Sequence, residues 1–440
     1  MSTTATLPAA ASPADPARPA GLRTFLTVWA GQTVSETGSG LTSFALGVWV
    51  YQRTGSITMF AGILAFTAIP VILLLPVAGS VVDRFDRRQL MIGANLAAVL
   101  SAVAVAMLAS AGRLEVWHVY VAVTWGSLCT SVQRAAWSSS VSLLVPREQL
   151  GRTAGLTQLG QGAAMLLGPL LGGVLLLSVG LRGVILLDAI TFLVGAGATA
   201  LVRIPRPPRR EGASTGLFRA VGEGWRYTLS RGGLLQVTLY LGVVNLSIGF
   251  VQALLTPMVL SFTTAARLGV ALSAGAVGMI SGALLMSTSG GPARRTRGMV
   301  LGGALLGVGL LALGMRASLG TVAGALALCV FAFTLTSACS TALLQAAVPP
   351  EMQGRVFTTL RMIAWTASPV AYVSAGPLVD NGFAPLAARL RDGLGGMWTH
   401  AGGGPALLLA AAGVWMLAGT AWLHGTASVR TLDEEPAAAG

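Results

Sequence analysis

The chain has 440 residues, of which 54% are hydrophobic and 10% charged, whereas soluble domains carry roughly 25% charged residues. A sequence this apolar uses lipid as part of its solvent, which excludes an ordinary soluble enzyme. The formal net charge of +13 sits in short arginine-rich loops between apolar runs, so it orients helices and does not mark a nucleic-acid partner.

There is no lysine, and every basic side chain is arginine. A phosphate-loop lysine and a Schiff-base lysine are therefore both excluded, and with them ATP-driven work by this chain alone. Cys129, Cys329 and Cys339 lie inside hydrophobic segments and read as packing residues. His118, His400 and His424 are isolated. No cofactor, metal site or catalytic constellation is expected, and the chain does not read as an enzyme.

Residues 1–20 are rich in Ala, Pro, Ser and Thr, and read as a disordered tail. The first apolar segment, 22–50, carries Glu36 near its middle, with Gln32 one turn earlier on the same face. An ionised carboxylate there is costly. That cost suits a group that takes up and releases a proton, although a structural glutamate that fixes packing is an equal reading.

The second segment, 57–80, ends in G-S-V-V-D-R-F-D-R-R, residues 79–88. A hydrophobic helix that runs into glycine, an acid and three arginines is a membrane helix meeting a basic turn. The pattern G-x-x-x-D-R-x-x-R-R resembles the loop between the second and third helices of the major facilitator superfamily. The resemblance implies roles for Gly79 in close helix approach, for Asp83 as a latch, and for Arg84, Arg87 and Arg88 as cytoplasmic anchors. The latch would set Asp83 against the start of the eleventh helix near Gly354, where the helix dipole favours an anion. Asp86 stands where the superfamily has a small residue.

Further apolar segments follow at 89–110, 116–140, 153–178 and 182–203, each near the ~20 residues a bilayer needs. Arg134 falls late in the fourth. It could pair a carboxylate or an anionic substrate, or snorkel to the surface. Gln158 and Gln161 in the fifth could line a polar cavity. That segment also holds Gly168, Pro169, Gly172 and Gly173, which resemble the glycine-proline signature of antiporters in the superfamily, with Ala164 replacing its first glycine. Asp188 in the sixth reads as structural.

Residues 204–216 are proline- and charge-rich and read as a linker between halves. Residues 221–231 read as an interfacial helix. Six more apolar segments follow, at 233–261, 267–288, 299–316, 320–345, 356–379 and 404–424. Asn245 and Gln252 in the seventh are cavity candidates, though interhelical bonding is their commoner use. Arg361, early in the eleventh, reads as snorkelling.

V-P-R-E-Q-L-G-R at 145–152 repeats as V-P-P-E-M-Q-G-R at 348–355, an internal match that sets Glu148 and Arg152 against Glu351 and Arg355. Two parallel halves follow from it. The expectation is an all-α membrane protein of twelve transmembrane helices in two pseudo-symmetric six-helix bundles. Its parts are a tail (1–20), an N-terminal bundle (21–204), a linker (205–231), a C-terminal bundle (232–427) and a second tail (428–440). Arginine bias places both termini in the cytoplasm of a cell-membrane protein.

Similarity to the superfamily's drug- and siderophore-export branch spans roughly residues 22–380. It implies a monomeric, ATP-independent, proton-coupled exporter of small amphipathic molecules. A facilitator or importer of the same fold, and a transport-inactive sensor, are the alternatives.

Overall fold

The computed structural model describes residues 21–146, 149–204, 217–289, 291–292, 294–315, 318–390, 402–426 and 429. Among them every regular element is helical. The N-terminal half comprises α1 (Leu22–Thr54), α2 (Ile57–Arg84), α3 (Arg87–Ser110), α4 (Val116–Leu144), α5 (Leu150–Ser178) and α6 (Gly180–Ala200). A short helix, α7 (Leu217–Ser230), leads into the second half: α8 (Gly232–Leu260), α9 (Ala265–Ser289), α10 (Arg295–Met315), α11 (Leu319–Ala347), α12 (Pro350–Leu378), α13 (Ala384–Leu390) and α14 (Gly403–Gly425). Each of the twelve expected spans is a helix, so the all-α membrane fold expected from the sequence is the one observed.

Several helices run beyond their apolar windows because their ends are satisfied. Gly55 closes α1 in the left-handed conformation at φ 62°, and its N–H reaches the Tyr51 carbonyl at 2.8 Å. Asp86 caps α3 by accepting from the backbone N–H groups of Arg88 (2.9 Å) and Gln89 (3.3 Å). That is a local reason for an acid where the superfamily pattern has a small residue.

Ten helices among the described residues are long and apolar enough to cross a bilayer. The long helices α1 and α4 fall outside that set, and they supply most of the lining of the cavity described below.

The halves repeat one packing scheme. In the first, α1 packs on α5 and α6, α3 on α4 and α6, and α2 on α4. In the second, α8 packs on α12 and α14, α10 on α11 and α14, and α9 on α11. These are the same five pairings, six spans on. The repeated loop shares its backbone as well. Val145 and Val348 are both extended, buried C-caps, and Gln149 and Met352 each donate to the carbonyl of the following proline, at 3.0 Å.

We call the face of the bundle that holds Leu22 the near side and the opposite face the far side. The halves meet through α2 with α12 and α5 with α9. A single apolar core spreads across them through Phe44, Val48, Ile57, Ala61 and Ala65, all in the far portions of α1 and α2. At the α5–α9 seam, Ser273 donates to the Leu166 carbonyl at 2.7 Å. A methyl on Gly173 would meet the Ala265 carbonyl oxygen at 2.9 Å, and one on Gly269 would meet the Pro169 carbonyl oxygen. On the other flank, Gly376 faces Thr58. The far side is closed by tight, small-residue packing of the kind that lets membrane helices approach.

The α7 helix packs on α12 with Thr228 buried, while Trp225, Arg226 and Leu229 stay exposed on one stripe. Arg231, just after it, lies over the Tyr227 ring at 5.1 Å and donates to the Ala347 carbonyl at the end of α11, at 3.5 Å.

Candidate substrate and coupling site

The C-terminal half has one continuous apolar core. The N-terminal half does not. Its near-side cluster, built around Phe25, Met91 and Trp137, and its far-side cluster, built around Leu46, Val105 and Ile185, are separate. Polar side chains of α1, α3, α4 and α6 occupy the layer between them.

A cavity opens into this layer. It is lined by α1 (Trp29, Gln32, Thr33, Glu36, Ser39), α4 (Thr130, Gln133, Arg134, Trp137), Thr157 and Gln161 of α5, and Phe192 of α6. Its lining on α1, α4 and α5 lies in the near-side and middle portions of those helices.

Glu36 faces Arg134 across the cavity, Oε1 to Nε at 3.7 Å. The glutamate side chain is 29% exposed and the arginine 63%, so the pair stands at the wall of a wet space. One turn along α1, Gln32 is buried. Its amide donates to Thr199 Oγ1 on α6 at 3.3 Å and accepts from Gln133 on α4. Gln133 also donates to Oδ1 of the fully buried Asn95 on α3, at 3.2 Å. Trp29 ties α1 to α5 by donating to the Leu156 carbonyl at 2.8 Å.

The structure brings together Glu36, Gln32, Arg134 and Gln161 from the sequence candidates. Gln158 is exposed on α5 and does not line the cavity. Asn245 donates to the Leu241 carbonyl of its own helix at 2.8 Å. Gln252 accepts from the Tyr372 hydroxyl of α12 at 3.1 Å, an interhelical bond. Asp188 is buried beside Gly38 of α1 and accepts from Thr191 at 3.3 Å.

Gly168 packs directly on Gly40 of α1, Gly172 on the Phe44 ring, and Gly173 and Pro169 on α9. Two of the signature arginines close helix ends of the N-terminal half: Arg87 donates to the Ser139 carbonyl of α4 at 2.8 Å, and Arg88 to the Thr199 carbonyl of α6 at 3.3 Å. The Thr199 carbonyl is among those that the last turn of α6 leaves open, and the Ser139 carbonyl lies one turn before the end of α4. Arg152 is exposed at the start of α5. Glu148 lies outside the described residues, as do the side chains of Gly79, Asp83, Arg84, Glu351, Arg355 and Arg361. The expected latch from Asp83 falls there too.

Sequence reading missed Gln133, Asn95 and the aromatic lining. Gln133 had a readable signal: it stands beside Arg134, making the most polar doublet of the segment.

Two packed six-helix halves that repeat one scheme, with a polar cavity among their helices, are the architecture of a membrane transporter. Residues 28–372 match the Major Facilitator Superfamily, and the chain belongs to that family. It is similar to macrolide efflux protein A of Streptococcus pyogenes, 27% identical over 374 residues, covering 81% of this chain and 89% of the relative. It is also similar to the enterobactin exporter EntS of Salmonella typhimurium, 26% identical over 382 residues, covering 85% and 86%.

Among solved structures, a bacterial homologue of the lysosomal transporter Spinster, inward-facing and unoccupied, matches with a TM-score of 0.67 at 14% identity, over 94% of this chain and 96% of that one. A bacterial ferroportin homologue in an inward-facing state matches at 0.68 and 15%, over 92% and 99%. At these identities the two structures support the fold alone.

Proposed function

We propose that this transporter exports small amphipathic molecules in exchange for protons, by alternating access, with both termini and the near side in the cytoplasm of a cell-membrane protein. The observation that carries the reading is Glu36: a carboxylate inside a transmembrane helix, at the wall of a cavity, paired with Arg134. Intramembrane acids are retained for function more often than by accident. The export direction and the amphipathic substrate class draw on the relatives named for macrolide and enterobactin efflux. Trp29, Trp137 and Phe192 add the apolar surface that such molecules need.

In this reading the structure stands open to the cytoplasm. Arginine weight supports the orientation: Arg23, Arg87, Arg88, Arg152, Arg203, Arg294, Arg295 and Arg297 lie on the near side, against Arg53, Arg113, Arg182 and Arg267 on the far side. Substrate enters the cavity while Glu36 is ionised. The halves then rock, the far seal opens, and a proton taken up by Glu36 from outside favours substrate release and return. Exchange follows only because proton and substrate each bind the two states unequally. The protein works as a monomer and without ATP.

The test is uptake of labelled erythromycin by energised inside-out vesicles. Uptake that stops when the pH gradient is collapsed, and whose response to the gradient is lost in Glu36→Gln, supports the reading. Uptake indifferent to the gradient removes proton antiport.

A further inference from the structure

We infer that Gln133 is a positioning residue for proton coupling: its bridge to Gln32 sets the distance from Arg134 to Glu36. This rests on the proposed role of Glu36 and deepens it.

The α4 helix packs mainly on α2 and α3 and touches α1 lightly. Two polar rungs cross that seam. One is the amide pair of buried Gln32 and half-buried Gln133, anchored further to Asn95 of α3 and Thr199 of α6. The other is the charged pair Glu36–Arg134. They are adjacent on both helices, since Gln133 precedes Arg134 and Gln32 lies one turn before Glu36.

The charged rung is loose by itself. It makes one contact at 3.7 Å, and its arginine is more exposed than buried. Solvated pairs of this kind hold no geometry of their own. The amide rung does, because Gln32, Asn95 and Thr199 are buried and losing the bridge would leave buried polar groups desolvated without return. The amide rung therefore fixes the register of α1 on α4, and that register decides whether the guanidinium reaches the carboxylate.

Few other charges face the pair. Asp188 of α6 lies further toward the far side, against Gly38 and Thr191. Arg87 and Arg88 of α3 are bonded to carbonyls at helix ends, and α5 presents only Thr157 and Gln161 to the cavity. Arg134 is thus the cation nearest Glu36 among the described side chains.

The experiment is erythromycin transport in proteoliposomes over a pH series, for wild type, Gln133→Leu, Gln32→Leu, Glu36→Gln, and Gln133→Leu combined with Glu36→Gln. Thermal melting of each purified protein checks folding. Loss of the bridge moves the arginine away from the carboxylate, so the pH profile of transport should change. The half-maximal pH should move by about half a unit or more in Gln133→Leu, in the same direction in Gln32→Leu, and not at all when Gln133→Leu is placed on Glu36→Gln.

If Gln133→Leu fails to fold, Gln32→Leu removes the same bridge from the other helix. An unmoved profile in a folded bridge variant, with the profile flattened by Glu36→Gln, overturns the inference and leaves proton coupling standing. A wild-type profile in Glu36→Gln overturns both.

Discussion

Arg134 of α4 and Glu36 of α1 stand 3.7 Å apart across the cavity, nitrogen to oxygen, although 98 residues separate them in sequence (134 − 36). Read from sequence, Glu36 is a candidate for protons, and Arg134 one for a carboxylate, an anionic substrate or the surface. Their pairing makes them one element, a carboxylate and a cation joined across the cavity.

Arg134→Ala should therefore impair exchange without abolishing the cavity. We expect transport to slow by tenfold or more at neutral pH and to show a changed pH profile. The double variant with Glu36→Gln should be no worse than Glu36→Gln alone, because coupled residues do not add. Flux in proteoliposomes at fixed substrate measures it. Full additivity would show that the two residues act separately.

The far-side seal predicts a conformational variant. A side chain at Gly269 points at the Pro169 carbonyl, which is backbone and cannot swing aside. Overpacking of this kind costs ~1–3 kcal/mol. The cost falls only on the state in which α5 and α9 are closed, so Gly269→Val should shift the population toward far-side opening. A cysteine at Ala265, now buried in that seam, should react about tenfold faster with an impermeant maleimide in the variant. Unchanged reactivity would show that the seam tolerates the side chain.

Close packing inside the second half gives a stability contrast. A methyl at Gly278 would sit 2.8 Å from the Ala327 carbonyl carbon and 3.0 Å from its Cα, across the α9–α11 contact, whereas one at Gly242 meets nothing within 4 Å. Gly278→Ala should lower stability by ~1–3 kcal/mol. Gly242→Ala should be neutral or raise it by up to ~1 kcal/mol, because it removes backbone freedom from the unfolded chain. Melting temperatures in detergent compare the two, and the order Gly278→Ala below wild type is the prediction.

At the start of α3, Asp86→Ala removes a cap that satisfies two backbone donors. A loss of ~1 kcal/mol is expected, read as a lower melting temperature. Asp86→Asn should retain most of the stability, since the amide oxygen still accepts. Equal losses in both would point to the charge and away from the cap.

Sidedness is directly testable. Cysteines introduced at Arg53 and Arg152 occupy opposite faces of the bundle. In whole cells an impermeant maleimide should label the first and spare the second. The reverse pattern would invert the proposed orientation and make the cavity outward-open.

Much of this protein is fixed by sequence alone, for a physical reason. A lipid-embedded backbone must satisfy its hydrogen bonds locally, so an apolar run near 20 residues becomes a helix whatever its neighbours do. The twelve spans, the arginine-rich turn at 79–88 and the doubled loop at 145–152 and 348–355 were legible in the sequence.

Side-chain partners were not. Sequence cannot say which face of α4 meets α1, so Gln133 went unnoticed and Arg134 stood undecided. Nor could it tell that Arg87 and Arg88 close the ends of α4 and α6, or that Gln252 bonds Tyr372 and stays outside the described cavity. Those assignments depend on helix rotation and register, which arise from interhelical packing. Tertiary structure alone decided that the polar layer lies in the N-terminal half, and that glycines at the α5–α9 seam close the far side.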